Sequence, residues 1–330
     1  MTQRVLVTGG AGYIGSVVVD QLLDRGYKVV VLDDLTTGHR QAVARGAAFI
    51  QGGVGNRELL GALFEAEGIE SIIHLAAFAL VPESVAQPQK YVTNNVTAAR
   101  VLLEAAVRAK VRRFVFSSSC AVYGHPAQVP IMEDSPQAPV NPYGETKRDF
   151  ERLLADVGPR NGMGVVSLRY FNASGATARL GEDHDPETHL IPNVLAAALG
   201  KRAALEIYGT DYPTSDGTAV RDYVHVTDIA DAHLRALDAK LDGGSAVAVN
   251  LGTGTGRSVR EIVEAARRVT GRDVPTLERP RRPGDPPELV AAVGRAATVL
   301  GWRPSHSSVE EILSSAWQWH RTHPQGYRGG

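Results

Sequence analysis

Val5-Leu6-Val7-Thr8-Gly9-Gly10-Ala11-Gly12-Tyr13-Ile14-Gly15 is the stretch on which the fold turns. An apolar β run leads into a glycine loop, and the loop opens a helix over residues 12–25. The glycines read as G-x-x-G-x-x-G (Gly9, Gly12, Gly15) or as G-x-G-x-x-G (Gly10, Gly12, Gly15). Either spacing permits a tight turn and lets a pyrophosphate approach the backbone, where unpaired N–H groups at the helix start receive it. Glycines alone are a weak signal, and the strand before them and the helix after them give it force. Asp33 ends the next β run, Val29-Val30-Val31-Leu32, about 20 residues on, as the ribose-diol rule expects. A carboxylate there accepts from both ribose hydroxyls and repels a 2′-phosphate, so NAD is expected in preference to NADP.

The same rhythm continues outward. Ala48-Phe49-Ile50, Ser71-Ile72-Ile73-His74, Arg113-Phe114-Val115-Phe116 and Val165-Val166-Ser167-Leu168 are further β runs, with helical stretches over residues 57–66 and 84–109 between them. Buried β runs alternating with helices predict an α/β fold: a doubly wound, parallel, Rossmann-type sheet covered on both faces. After Arg169 the rhythm changes, and residues 175–192 read as loop. We expect a Rossmann domain over residues 1–170 and a smaller substrate-binding lobe over 171–330. Residues 220–252 are expected to return to the first domain, because Tyr223-Val224-His225-Val226 and Ala246-Val247-Ala248-Val249 are both apolar β runs. The tail after Pro324 reads as loose.

Composition excludes several classes. With 330 residues, 43% hydrophobic and 22% charged, the chain is that of an ordinary globular protein. A net charge of −1 favours neither nucleic acid nor a membrane surface. No apolar run is long enough to span a bilayer, the start shows no signal peptide, and one cysteine, Cys120, allows no internal disulfide. These features read as cytoplasmic.

The chemistry is expected in Asn141-Pro142-Tyr143-Gly144-Glu145-Thr146-Lys147. Tyr143 and Lys147 stand at i, i+4 on one helix face, with Pro142 and Tyr143 in the first turn. A free phenol has a pKa of about 10. A fixed ammonium and a helix start both favour the phenolate, which predicts a lowered pKa and a base able to take a proton from an alcohol. Ser117-Ser118-Ser119, after the fifth β run, offers a hydroxyl at the carboxyl end of the sheet to relay that proton.

Together these features resemble the extended short-chain dehydrogenase/reductase superfamily. His74-Leu75-Ala76-Ala77, Asn94-Asn95-Val96, Arg169-Tyr170-Phe171-Asn172, Asp211-Tyr212-Pro213-Thr214, Val220-Arg221-Asp222-Tyr223, Asn250-Leu251-Gly252 and Pro280-Arg281-Arg282-Pro283-Gly284-Asp285 are similar to the UDP-glucose 4-epimerases, over essentially the whole chain in order. The resemblance implies Tyr143 as base, Ser119 as its hydroxyl partner, and Lys147 holding the nicotinamide ribose. It places Gly9, Gly12, Tyr13, Ile14, Gly15, Asp33, Gly53, Val54, Ala76, Ala77, Asn94, Ser117 and Tyr170 toward NAD. It places Phe171, Asn172, His189, Leu190, Arg221, Tyr223, Arg282, Asp285 and Leu289 toward a UDP-hexose. Two arginines from separate segments suit a pyrophosphate. The implied reaction oxidises the sugar transiently at C4 and returns the hydride to the opposite face.

Two departures stand out. The third β run ends Gln51-Gly52-Gly53-Val54, where the family carries Gly-Asp, so an adenine contact is lost at Gly53. Ala79, in Phe78-Ala79-Leu80, stands where some members have a lysine. Both predict weaker NAD retention. Leu289, intermediate in bulk, leaves N-acetyl sugars open. Another nucleotide sugar is the main alternative; a dehydratase is disfavoured because Cys120 and Ala121 replace its acidic pair. A reductase stays open, with Asp33 against the phosphorylated cofactor, as does a non-catalytic NAD-binding protein. Glu182-Asp183-His184-Asp185-Pro186-Glu187-Thr188-His189 suggests metal ligands at first sight, but the spacing is irregular and we read no metal there. Val96, Ala99, Leu103 and Ala106 form an apolar stripe, read as core. The family resemblance implies a homodimer through that helix and the Tyr143 helix.

Overall fold

The computed structural model of the chain describes residues 3–241, 244–282 and 284–329. Six strands alternate with helices: β1 (Arg4–Thr8), α1 (Tyr13–Asp24), β2 (Lys28–Asp33), β3 (Ala48–Gln51), α2 (Arg57–Glu67), β4 (Ser71–His74), α3 (Val81–Ala86), α4 (Pro88–Tyr91), α5 (Ala99–Arg108), β5 (Arg113–Ser119), α6 (Pro142–Arg160) and β6 (Gly164–Tyr170). With Ala246–Leu251 they make one parallel sheet, ordered Ala246–Leu251, β6, β5, β4, β1, β2, β3. Chain order reverses between β1 and β4, which opens a crevice over the carboxyl ends of the strands. The strands read as continuous apolar runs because both faces are covered. Val7, Val31 and Ile73 pack under α1 and the helix Val226–Asp238. Leu6, Ile72 and Phe114 pack under α2, α5 and α6.

Four local readings change. The serines do not follow the fifth strand; they form its last three residues, since β5 runs through Ser119. The single helix read over residues 84–109 is broken at Gln87, ahead of Pro88, and passes through a π-helical segment, Val92–Ala98, before α5. Tyr223–His225 does not join the main sheet: it pairs with Asn172–Ser174, while Ala246–Leu251 takes the edge beside β6. The tail is not loose, because the ring of Tyr327 is buried against His39 and Trp319. Its hydroxyl meets the backbone of Gly181, and its N–H donates to Asp183.

The remaining residues build a smaller lobe around α7 (Leu190–Ala198) and the helices Val259–Thr270 and Val309–Thr322, with Leu195, Ile207, Ile262 and Leu313 in its core. A short sheet centred on Val220–Arg221, flanked by Arg257–Ser258 and Glu288–Leu289, faces the main crevice.

Candidate active site

The glycine loop is built to receive phosphate. Gly12 caps α1 with no side-chain hydrogen bond, and the first turn carries no acidic residue, so its N–H groups are left for a ligand. A Cβ on Gly15 would stand 2.0 Å from the Gly9 carbonyl oxygen, and one on Gly9, whose φ is +74°, would stand 2.6 Å from the Ala76 nitrogen. Only glycine lets α1, the loop and β4 approach this closely. Asp33 at the end of β2 is buried, and its carboxylate accepts from the N–H groups of Ala11 and Leu35, both at 2.9 Å. It therefore shapes the loop and also turns its remaining lone pairs to the cleft. These features fit a dinucleotide.

α6 starts at an Asn141 cap that accepts from the Gly144 N–H at 2.8 Å, with Pro142 in the first turn and Tyr143 next. A Cβ on Gly144 would lie 2.5 Å from the Ala121 carbonyl, so the helix start presses against the end of β5 and brings Tyr143 to Ser119. One turn on, the Lys147 ammonium donates to the Ser117 carbonyl at 2.7 Å and lies 5.7 Å from the centre of the Tyr143 ring. Burial raises the Tyr143 phenol to about 12, with the Ser119 hydrogen bond pulling it down. Burial lowers Lys147 to about 7, opposed by Glu151. The lowered phenol expected from Lys147 and the helix start is thus not what the protein alone provides. Lys147 is committed to a backbone carbonyl, and desolvation exceeds its reach.

Glu151, one further turn along α6, forms a buried ion pair with Arg169 of β6 at 2.6 Å and accepts from the Ser118 hydroxyl. Arg169 also donates to the Tyr123 hydroxyl and the Glu133 carbonyl. Asn95, in the π-helical segment, holds the Phe78 backbone at both N–H and C=O and donates to Thr146. Its neighbour Asn94 is thereby turned to the cleft.

Across the cleft, Arg221 pairs with Asp285 at 2.6 Å, and Arg282 stacks over Tyr208 with its guanidinium 4.0 Å from the ring centre. Asp222, fully buried, accepts from the N–H groups of Thr253, Gly254 and Ala291 and so fixes the Arg221–Tyr223 segment. Tyr223 and Leu289 are buried, Leu289 against Cys120 and Phe171. Pro283, in the basic run read from the sequence, lies outside the described residues.

Every cofactor, catalytic and substrate position named from the sequence lines one continuous cleft of about 1110 Å³ between the sheet and the smaller lobe. Sequence reading missed Tyr208 and Glu151, and it gave Asn95, Arg169 and Asp222 no role beyond the family-like runs that contain them. Their partners are distant in the chain, so no local spacing marks them. It also set aside Glu182, His184, Glu187 and His189 for their irregular spacing; the loop folds their ligand atoms to within 4.8 Å of one another at the cleft wall. There burial disfavours a charge on His189, yet Glu182 and Glu187 outweigh it and raise the ring to about 9.

Residues 5–252 match the model of the NAD dependent epimerase/dehydratase family. The chain belongs to that family. Among similar proteins, the UDP-glucose 4-epimerase of Lacticaseibacillus casei is 49% identical over 325 residues, 98% of each chain. A UDP-glucose 4-epimerase from Brucella ovis, solved in complex with NAD, is 48% identical with a TM-score of 0.92, over 96% of this chain and 98% of that one. One from Stenotrophomonas maltophila, solved with NAD and formylated UDP-arabinopyranose, is 37% identical with a TM-score of 0.94, over 99% of this chain and 100% of that one. This family member is therefore an NAD-dependent enzyme, and no helix among the described residues is long and apolar enough to cross a membrane.

Proposed function

We infer that the chain is an NAD-dependent 4-epimerase of nucleotide sugars that interconverts UDP-galactose and UDP-glucose. The observation that carries the reading is the position of Ser119, Tyr143 and Lys147 in one cleft, between an uncapped glycine-loop helix start and the Arg221 and Arg282 side. Gly9, Gly12, Gly15 and Asp33 hold the dinucleotide, and Lys147 its nicotinamide ribose. Arg221 and Arg282, on separate segments, hold the UDP. Tyr143 takes the proton of the 4-hydroxyl, with Ser119 bonded to the same oxygen. NAD, when bound, supplies the hydride acceptor, and its ring charge favours the phenolate that burial alone opposes. The hydride returns within the same turnover, so no cofactor is consumed. Elimination has no support, since Cys120 is buried with its thiol raised to about 12 and Ala121 carries no acid.

A homodimer through α5 and α6 and a cytoplasmic location complete the reading; a protein eluting at twice 35.2 kDa is the expected outcome of size-exclusion chromatography with light scattering. The deciding experiment follows conversion of UDP-galactose to UDP-glucose with added NAD. The wild-type protein should convert it, and Tyr143→Phe should lose roughly 10²–10⁴-fold in kcat, the usual worth of a positioned base. A wild type inactive on UDP-galactose but active on UDP-N-acetylgalactosamine would reassign the sugar and leave the mechanism standing.

A further inference from the structure

We propose that Glu182, His184, Glu187 and His189 form a binding site for one divalent transition-metal ion of the zinc class, which organises the loop leading into α7. The assignment stands on side-chain geometry, and it gives His189, which the family resemblance placed toward the UDP-hexose, a ligand role through Nδ1.

His184 Nδ1 lies 3.2 Å from Glu182 Oε1 and 3.7 Å from Glu187 Oε2. His189 Nδ1 lies 2.5 Å from the same Glu182 oxygen and 3.6 Å from Glu187 Oε1. Ligands about 2.1 Å from a tetrahedral ion stand about 3.4 Å from one another. Three of the four measured separations fall near that edge length, and the ion's attraction has only to open the 2.5 Å one. Two imidazole nitrogens and two carboxylates are a borderline donor set that suits zinc over magnesium or calcium.

A second observation separates this from a plain ion-pair cluster. His184 Nδ1 is buried and has no hydrogen-bond partner among the described residues, although the Glu182 oxygen is close by. The nitrogen thus stands beside the carboxylate without bonding it, where a shared ion could take both. Glu182 itself is buried, and among the described residues it ion-pairs with no lysine or arginine. In the metal-free protein the His189 ring at 2.5 Å meets its charge, and a bound ion would take that place.

The surroundings pre-form the site. Tyr13 of the glycine-loop helix donates to the Gly175 carbonyl at 2.6 Å and sets its ring edge-on to His184. The neighbouring Asp183 accepts from the Tyr327 N–H. The loop is thus anchored from the cofactor side and from the C-terminal segment. His189 is the N-cap residue of α7 and makes no side-chain capping bond; its Nδ1 bonds Glu182 Oε1 at 2.5 Å, a contact that the ion would replace. The ion would join the two ends of the loop at the cleft wall, and no catalytic step passes through it.

The test uses the full-length protein without a histidine tag, stripped with a chelator and titrated with Zn²⁺ against a competing indicator, then with Co²⁺ as a spectroscopic probe. The expected result is one equivalent of zinc per chain and intense tetrahedral Co²⁺ bands without a thiolate charge-transfer band, which excludes Cys120. A raised Tm with Zn²⁺, and none with Mg²⁺, should accompany it. His184→Ala and Glu187→Gln should each weaken zinc binding by about 100-fold or more, beyond what loss of an outer-shell partner does. Wild-type protein that takes up no stoichiometric zinc, or zinc uptake unchanged in both variants, overturns the proposal and leaves an ion-pair cluster. The Co²⁺ spectrum is read on wild-type protein, so the question is decided even if a variant fails to fold.

Discussion

Burial drives Tyr143 and Lys147 toward their neutral forms, the phenol up to about 12 and the amine down to about 7. Two such groups in one dry pocket wait for charge from a ligand. Lys147→Met keeps the apolar stem and removes the ammonium that donates to the Ser117 carbonyl. It should lower kcat by roughly 10²-fold or more, with a smaller change in KM for the sugar, measured by steady-state kinetics at saturating NAD. At Gly53 the expected effect is on cofactor retention instead. A Cβ there would meet only an Asp34 oxygen at 4.0 Å, and Gly53 brings no carboxylate of its own to the cleft that it lines. Ala79 lines the cleft and brings no cation to it, and Lys90, over the Phe78 ring, is paired with Glu83 at 2.6 Å. Extended dialysis should therefore remove NAD and leave activity dependent on added cofactor; a full equivalent retained, measured by absorbance after acid release, would refute this.

At the scale of elements, the position of α6 decides where Tyr143 and Lys147 stand in the cleft. Its start is held against the end of β5 by the close approach of Gly144, and its middle is tied to β6 by the Glu151–Arg169 pair. Glu151→Ala leaves the Arg169 guanidinium buried without its carboxylate. The expected cost is about 3–5 kcal/mol, read by chemical denaturation, with a loss of activity although residue 151 touches no substrate. The break before Pro88 and the π-helical segment serve a related purpose. They let Asn95 turn inward to the Phe78 backbone while Asn94 faces the cleft.

At the scale of the molecule, stability should fall in acid. His74 and His233 are fully buried, and burial lowers them to about 3 and about 4, with the Lys147 charge adding to the effect on His74. In His233, Nδ1 bonds the Ile229 carbonyl, so Nδ1–H donates and Nε2 accepts from the Tyr170 hydroxyl at 2.6 Å. Below pH 6.5 the unfolded chain binds protons on these rings that the native protein refuses. The neutral rings' contribution is complete above 6.5 and is lost as pH falls toward 4, at about 1.4 kcal/mol per pH unit for each histidine. Denaturation curves at pH 7 and pH 5 should show this slope, and His233→Asn should make it shallower.

What the sequence by itself determined is what rests on neighbours in the chain. The β1 run, its glycine loop and Asp33 specify a dinucleotide crevice because phosphate recognition needs a strand, a turn and a helix start in succession. Tyr143 and Lys147 share a face because a helix repeats about every 3.6 residues. The tertiary structure alone decided what depends on residues remote in the chain. It sent Tyr223–His225 to Asn172–Ser174 instead of the main sheet, since both runs are apolar and only packing chooses the partner. It folded the tail under Asp183 and paired Glu151 with Arg169. It reversed the expected shift of Tyr143, because desolvation depends on everything packed around a group and the helical repeat shows only one neighbour. It gathered Glu182, His184, Glu187 and His189 to one point, because a loop has no period, so its spacing does not reveal which side chains converge.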